Sequence, residues 1–190
     1  MAESVLMYPK GGTNMTGEFS RRSFLKYTAL TAVVVAGSSL LTGCGSYSAM
    51  QKDVGTTNTV LKVVTKLEQV EYDAANTTTI FKLTVTNGPG SMLPLNALQV
   101  NAENFTVTAD GYLAADGQNL RVTSPDATDQ QVKKGETCTY YVYAKGLNAL
   151  AKEEVTLTFY PRPQKYSGFN ANWVLSKDVL KDAISTPSRT

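Results

Sequence analysis

The stretch TTTIFKLTVTNGPG at residues 77–90 carries the clearest fold signal in this chain of 190 residues. From Phe81 to Thr86, apolar side chains alternate with polar ones, which is the two-residue period of a strand that buries one face. The turn-forming sequence Asn-Gly-Pro-Gly follows directly at residues 87–90. The stretch therefore predicts a β-strand that ends in a tight turn.

The same alternation recurs on both sides of this stretch. Residues 137–144 place a cysteine, a tyrosine, a valine and an alanine on one face, and residues 155–160 alternate until Pro161 ends the pattern. Further segments with alternating apolar residues lie at residues 59–72, 98–100, 105–109 and 119–123. The apolar parity switches within the first of these segments, which predicts a bulge or two short strands. Short strands rich in Thr, Val and Tyr predict an all-β fold, an antiparallel sandwich.

The sandwich is predicted to occupy residues 59–163, with different sequences on either side. Residues 44–58 are small and polar, which is typical of a flexible tether. In the tail, residues 164–190, Ser176 is placed to cap a short helix that runs to Ile184. Trp173 is the side chain expected to dock this tail on the domain.

Residues 1–43 have the organisation of a cleaved secretory signal: a charged segment, an apolar run and small residues before a cleavage point. The charged segment is SRRSFLK at residues 20–26. It resembles the twin-arginine signal peptides of bacteria, and it matches their pattern at Arg21, Arg22, Phe24 and Leu25. The resemblance implies export of an already folded domain by the twin-arginine (Tat) translocase. The apolar run that follows is shorter than the roughly 20 residues that a membrane-spanning helix needs.

The sequence LTGC at residues 41–44 ends this signal. It resembles the bacterial lipobox, in which lipoprotein-processing enzymes attach a lipid to the cysteine and cleave just before it. The resemblance implies that Cys44 becomes the first mature residue and carries acyl chains such as palmitate. Two acyl chains make a durable anchor, whereas one is marginal. The expected location is the extracytoplasmic face of the cell membrane.

Residues 61–161 resemble the immunoglobulin-like domains of bacterial surface lipoproteins whose function is uncharacterised. The resemblance is carried by the strand from Phe81 to Asn87 with its turn, and by Lys-Gly-Glu-Thr-Cys at residues 134–138 before a tyrosine-rich strand. It implies an immunoglobulin-like sandwich used for surface display or protein contact, and it supplies no catalytic residues. The Cys-Trp-Cys set of true immunoglobulin domains is absent from the sequence.

Composition excludes several classes of function. The sequence contains no histidine, which removes His-based acid–base catalysis, Ser-His-Asp triads and His-containing metal sites. The chain has 18 Lys and Arg against 16 Asp and Glu, and the excess of two lies before Cys44, so the mature part is neutral and lacks a basic footprint for nucleic acid. With Cys44 lipidated, Cys138 has no partner for a disulfide and is expected to lie buried as a small apolar residue.

Tyr141, Tyr143 and Tyr160 are the candidate binding residues, because exposed tyrosines on strands suit contact with a protein or a glycan. Arg162 and Lys165 would form the polar rim of this patch. Ordinary cross-strand pairing on a sheet face is the alternative explanation.

Clustered carboxylates raise two further alternatives. Loop aspartates are candidate calcium ligands, but their spacing matches no known calcium loop; they are Asp110, Asp116, Asp126 and Asp129. Glu68, Glu71 and Asp73 would serve a hydrolase only if two carboxyls faced each other across a cleft. Solvated turn and strand-end charges explain both sets more simply, so no metal is expected.

The sequence therefore favours a non-catalytic interaction module, anchored in the cell envelope and bound to an unknown envelope or extracellular protein. The second hypothesis is a lipoprotein that binds a glycan or small molecule through the tyrosines or the loop at residues 88–96. A hydrolase is the third. No enzyme activity and no cofactor are expected.

Overall fold

The computed structural model describes residues 48–89, 97–162 and 168–185. Along these residues, buried and exposed positions alternate in strands that form β-sheets. The strands pack as a sandwich-like all-β domain with one short C-terminal helix, as the periodicity predicted. In chain order the elements are β1 (Ser48–Gln51), β2 (Thr57–Val60), β3 (Val63–Asp73), β4 (Thr78–Asn87), β5 (Ala97–Gln99), β6 (Phe105–Ala109), β7 (Tyr112–Ala115), β8 (Leu120–Thr123), β9 (Gln131–Lys133), β10 (Thr137–Lys145), β11 (Glu154–Phe159), β12 (Asn170–Ser176), the helix α1 (Lys177–Ala183) and β13 (Ile184–Ser185).

Two large sheets carry most of these strands. The first has the order β1-β12-β11-β6-β7, and the second has the order β13-β3-β4-β10-β8 with β2 paired on β3. A small separate sheet joins β5 to β9. Neighbouring strands are antiparallel except at two edges, where β1 runs parallel to β12 and β13 runs parallel to β3.

The predicted strand at residues 77–86 is confirmed as β4, which lies at the centre of the second sheet. It pairs with β3 on one side and with β10 on the other, and Tyr141 lies opposite Lys82. Both alternatives for the parity switch are realised: Leu61 and Lys62 form a turn between β2 and β3, and a bulge follows Leu67. The bulge adds one residue and so moves the apolar positions to the other parity.

One hydrophobic core joins the inner faces of the two large sheets. Phe105 and Phe159 lie opposite each other on β6 and β11, with ring centroids 5.1 Å apart. Phe81 and Tyr140 fill the core from the second sheet, and all four rings are buried. Burial raises the pKa of Tyr140 and keeps its phenol protonated.

The segment predicted as a tether contains an edge strand of the first sheet. Strand β1 pairs with β12, and Ala49 is buried. Asn172 fastens it: its Nδ2 donates to Ser48 Oγ at 2.8 Å, and its Oδ1 accepts from Thr158 Oγ1 at 2.8 Å. The polar sequence of residues 48–51 is thus matched by polar partners far along the chain, which local composition does not reveal.

The predicted tail also contributes to the sandwich. Strand β12 lies between β1 and β11, and Trp173 is fully buried in the core instead of docking from outside. The predicted helix is confirmed as α1, and Ser176 occupies its N-cap position without a side-chain capping bond. Leu180 anchors the helix on the domain because it is fully buried.

Candidate functional site

Tyr141 and Tyr143 lie two residues apart on the outward face of β10, and both are half-buried. Lys82 Nζ lies 6.0 Å from the ring centroid of Tyr141, and Arg121 Cζ lies 5.2 Å from that of Tyr143. Both cations come from cross-strand neighbours, at the distances of cation–π contacts. The two rings are therefore engaged within the sheet itself.

Tyr160 lies in a different part of the domain, directly after β11 of the first sheet. Its backbone N–H donates to the carbonyl of Asn104 at 2.8 Å, and its carbonyl accepts from Asn104 Nδ2 at 2.8 Å. The structure thus groups Tyr141 with Tyr143 and places Tyr160 directly after a strand of the other sheet. The predicted export and lipidation residues, Arg21, Arg22, Phe24, Leu25 and Cys44, lie outside the described residues, as does Lys165.

The large exposed apolar side chains of the described chain lie near one end of the first sheet, and sequence reasoning missed them. They are Tyr112, Leu113 and Leu150, with 70%, 60% and 38% of their surface exposed, and we call them the hairpin cluster. Tyr112 and Leu113 follow the Asp110-Gly111 turn between β6 and β7. The signal in the sequence is two large apolar residues immediately after an Asp-Gly turn, where a chain normally places polar residues.

Asp110 holds the parts of this surface together. Its Oδ1 accepts hydrogen bonds from the backbone N–H groups of Glu153 at 2.9 Å and Glu154 at 3.1 Å, and its Oδ2 lies 3.5 Å from Lys152 Nζ. These bonds connect the turn of the hairpin to the segment that follows Leu150. These contacts lower the pKa of Asp110 because each of them favours the charged carboxylate, and the hydrogen bond from Glu154 has the largest effect. Asp110 therefore has a structural role in place of the considered calcium role.

Asp110→Asn is expected to destabilise the domain at neutral pH, with an effect that fades in acid. The folded state lowers the pKa of Asp110, so its contribution is present above the unfolded pKa of about 4 and disappears as the pH falls through the folded pKa. Urea unfolding of both proteins at pH 7 and pH 2.5 measures this difference. The matched control is Asp116→Asn, because the Asp116 side chain makes no hydrogen bond within the described chain; an equal loss at both pH values would contradict the assignment.

The remaining carboxylates form no metal-binding cluster in the described residues. Glu68 pairs with Lys66 at 2.7 Å, and Asp73 accepts from Asn76 Nδ2 at 2.6 Å within its own turn. Asp126 accepts from the backbone N–H of Thr139 at 3.0 Å. Within the ranges that the structure describes, no three Cys, Asp or Glu side chains come together as metal ligands.

A shallow cleft of about 430 Å³ lies beside β9 and β10. Asp126, Asp129, Lys133 and Glu136 line it with mixed charge, and Cys138 lies at its side. Cys138 is 5% exposed and is a free cysteine, which confirms the prediction that it is buried as a small apolar residue. Burial, with Glu136 and Asp126 nearby, raises the pKa of this thiol and favours its protonated form.

In the described parts of the chain, no helix is long and apolar enough to cross a membrane. The chain matches no protein-family model, and comparisons with curated proteins and with solved structures find no significant similarity.

Proposed function

We propose that this chain is a non-catalytic interaction module of the cell envelope. It is exported by the twin-arginine route, held in the membrane by a lipid on Cys44, and binds an envelope or extracellular protein through the hairpin cluster. The observation that carries this proposal is the position of these residues: the large exposed apolar side chains lie near the end of the first sheet that is opposite the end where the chain enters.

Strand register establishes the two ends. At one end Ser48 lies beside Asn170, and Phe105 lies beside Phe159. At the other end Glu154 pairs with Ser176, and the Asp110 turn binds Glu154. A chain anchored at Cys44 enters at the first end, so the hairpin cluster is presented at the second, away from the anchor.

Strand β7 suits a protein partner in a further respect. It is the last strand of its sheet, and within the described chain it pairs only with β6. An edge strand offers backbone N–H and C=O groups to a strand of another chain. Tyr112 and Leu113 lie on this edge strand and add apolar area that a partner would remove from water.

The sandwich is proposed to be immunoglobulin-like, and its strand order supports this. The order β3-β4-β10-β8 corresponds to strands A, B, E and D of that fold, and β12-β11-β6-β7 corresponds to G, F, C and C′. The chain therefore alternates between the sheets in a Greek-key order. A role in surface contact, implied by the sequence resemblance, agrees with this arrangement.

Tyr112→Ser combined with Leu113→Ser is expected to abolish partner binding without unfolding the domain. The two side chains are mostly exposed, so their loss changes stability by about 0.5 kcal/mol or less. A photoreactive residue in place of Leu113 should give a discrete cross-linked adduct in intact cells. The adduct should disappear when Tyr112→Ser is added.

The matched control places the photoreactive residue at Tyr141, on the outward face of the second sheet. An adduct from this position and none from Leu113 would move the binding surface to the tyrosines. Binding of a glycan is the second candidate function, since Tyr141 and Tyr143 lie side by side on one face. Absence of an adduct from both positions would contradict the proposal of an interaction module.

A further inference from the structure

We infer that the chain-entry end of the domain rests against the lipid headgroups, so that the protein is held close to the membrane instead of on a long tether. This inference rests on the proposed lipid anchor at Cys44. It adds an interaction surface, and the partner of that surface is the bilayer itself.

The first step is the position of β1. Ser48 Oγ donates to Asn170 Oδ1 at 2.7 Å, and Asn172 Nδ2 lies 2.8 Å from Ser48 Oγ. Ser48 pairs with Asn170 in the parallel register, and the following Ala49 is 5% exposed. The domain is therefore fixed to the chain from Ser48 onward.

The second step is the reach of the chain before β1. Only four residue steps separate Cys44 from Ser48, and a fully extended chain spans at most about 14 Å over that distance. The acylated sulfur lies at the boundary of the bilayer. Ser48 is therefore confined within about 14 Å of the lipid surface, a distance shorter than the roughly 20 Å length of strand β12.

The third step is the set of residues that share this end. Tyr160 is held there by the hydrogen bonds of Asn104, and Glu103 lies exposed on the short 3-10 turn Ala102–Asn104. Two hydrogen bonds connect β12 to residues in and just before β2 of the second sheet. Asn58 Nδ2 donates to the carbonyl of Asn172, and Trp173 Nε1 donates to the carbonyl of Thr56. Strand β2 thus runs opposite to β12 and brings the turn at Leu61 and Lys62 to the same end.

Of the residues at this end, Tyr160 and Lys62 suit the headgroup layer. A tyrosine ring lies favourably at the boundary between lipid and water, and an exposed lysine such as Lys62 is attracted to anionic lipids. At the opposite end, the hairpin cluster would stand about 20 Å further from the membrane, the length of the seven-residue strand β12.

Energy transfer to the membrane surface tests this orientation. The lipidated chain is purified from membranes with one new cysteine, at Glu103→Cys or at Leu113→Cys, and labelled with a donor dye. Cys138 is buried and the lipid occupies the thiol of Cys44, so the new thiol is the one that reacts. Each protein is placed in vesicles of phosphatidylcholine and phosphatidylglycerol that carry an acceptor dye on a headgroup.

We expect transfer from position 103 to exceed transfer from position 113. Inserting twelve Gly and Ser residues between Gly45 and Ser46 should remove most of that difference, because a flexible linker of this length adds roughly 20 Å of reach. Equal energy transfer from the two positions, in a protein whose intact mass includes the lipid, would overturn the inferred orientation without contradicting the lipid anchor. An intact mass without lipid would overturn the anchor, and this inference with it.

Discussion

Replacing Trp173 by alanine is expected to lower the free energy of unfolding by about 3–5 kcal/mol. Trp173 is fully buried, and it is the largest side chain in the core. It lies opposite Leu157 on β11 and Gln51 on β1, and its Nε1 donates to the carbonyl of Thr56 at 3.3 Å. Truncation therefore leaves a cavity where three strands meet, and the loss is a large part of the 5–15 kcal/mol that stabilises a typical domain.

The same substitution tests the export route. A translocase that carries folded proteins should reject unfolded chains, so Trp173→Ala is expected to reduce export in proportion to the fraction of the domain that it unfolds. Urea unfolding of the purified mature domain measures the stability, and cell fractionation measures the export. The matched control is Arg21→Lys with Arg22→Lys, which should stop export and leave the stability of the domain unchanged.

Two outcomes would contradict the twin-arginine assignment. One is normal export of a Trp173→Ala chain whose isolated domain is unfolded. The other is normal export of the chain that carries both lysines. Folding of this domain requires a nearly complete chain, because β1 pairs with β12 and Ser48 contacts residues more than 120 positions later. The first strand cannot find its place until nearly the whole chain has been made.

Sequence periodicity predicts the strands whose two faces differ. From Thr79 onward in β4, and throughout β10, buried positions alternate with more exposed ones, and the buried positions carry mostly apolar side chains. Cys138 follows from the same rule because it lies on the apolar face of β10. The parity switch near Leu67 was readable as a bulge for the same reason.

Strands held by distant polar partners were not predictable in this way. Residues 48–51 read Ser-Ala-Met-Gln and carry no alternation, and the side-chain amide of Asn172 is what holds them. Trp173 was recognised as the contact of the tail, but its place at the centre of the core depends on the pairing of β12 with both β1 and β11. Such pairings are a property of the assembled sheet and not of any local segment.

In the candidate site, too, some features are predictable from local sequence and others depend on the assembled sheets. Tyr141 and Tyr143 share a face because they are two residues apart on one strand, which sequence spacing specifies. Whether Tyr160 lies near them depends on which sheet its strand joins, and Tyr160 directly follows β11 of the other sheet. The hairpin cluster depends on the fold of Asp110 against Glu153 and Glu154, a contact between segments more than 40 positions apart.

Replacing Cys44 by serine is expected to move the protein from the membrane to the soluble fraction, or to leave an uncleaved precursor. The lipid is the proposed attachment, and each buried methylene of its two acyl chains contributes about 0.8 kcal/mol, which surface contacts at Tyr160 and Lys62 cannot replace. Intact mass measures the change: the wild-type protein should have the mass of residues 44–190 plus a diacylglyceryl group. Membrane fractionation then measures its location.

Cys138→Ser is the matched control, since it removes the other cysteine of the chain from a buried position. It should keep the lipid and the membrane location, at a modest cost in stability from placing a hydroxyl in the core. Processed Cys44→Ser protein that remained in the membrane would contradict the proposed lipid anchor. The contacts at the chain-entry end would then have to account for binding, and raising the salt concentration would separate charge attraction by Lys62 from apolar contact by Tyr160.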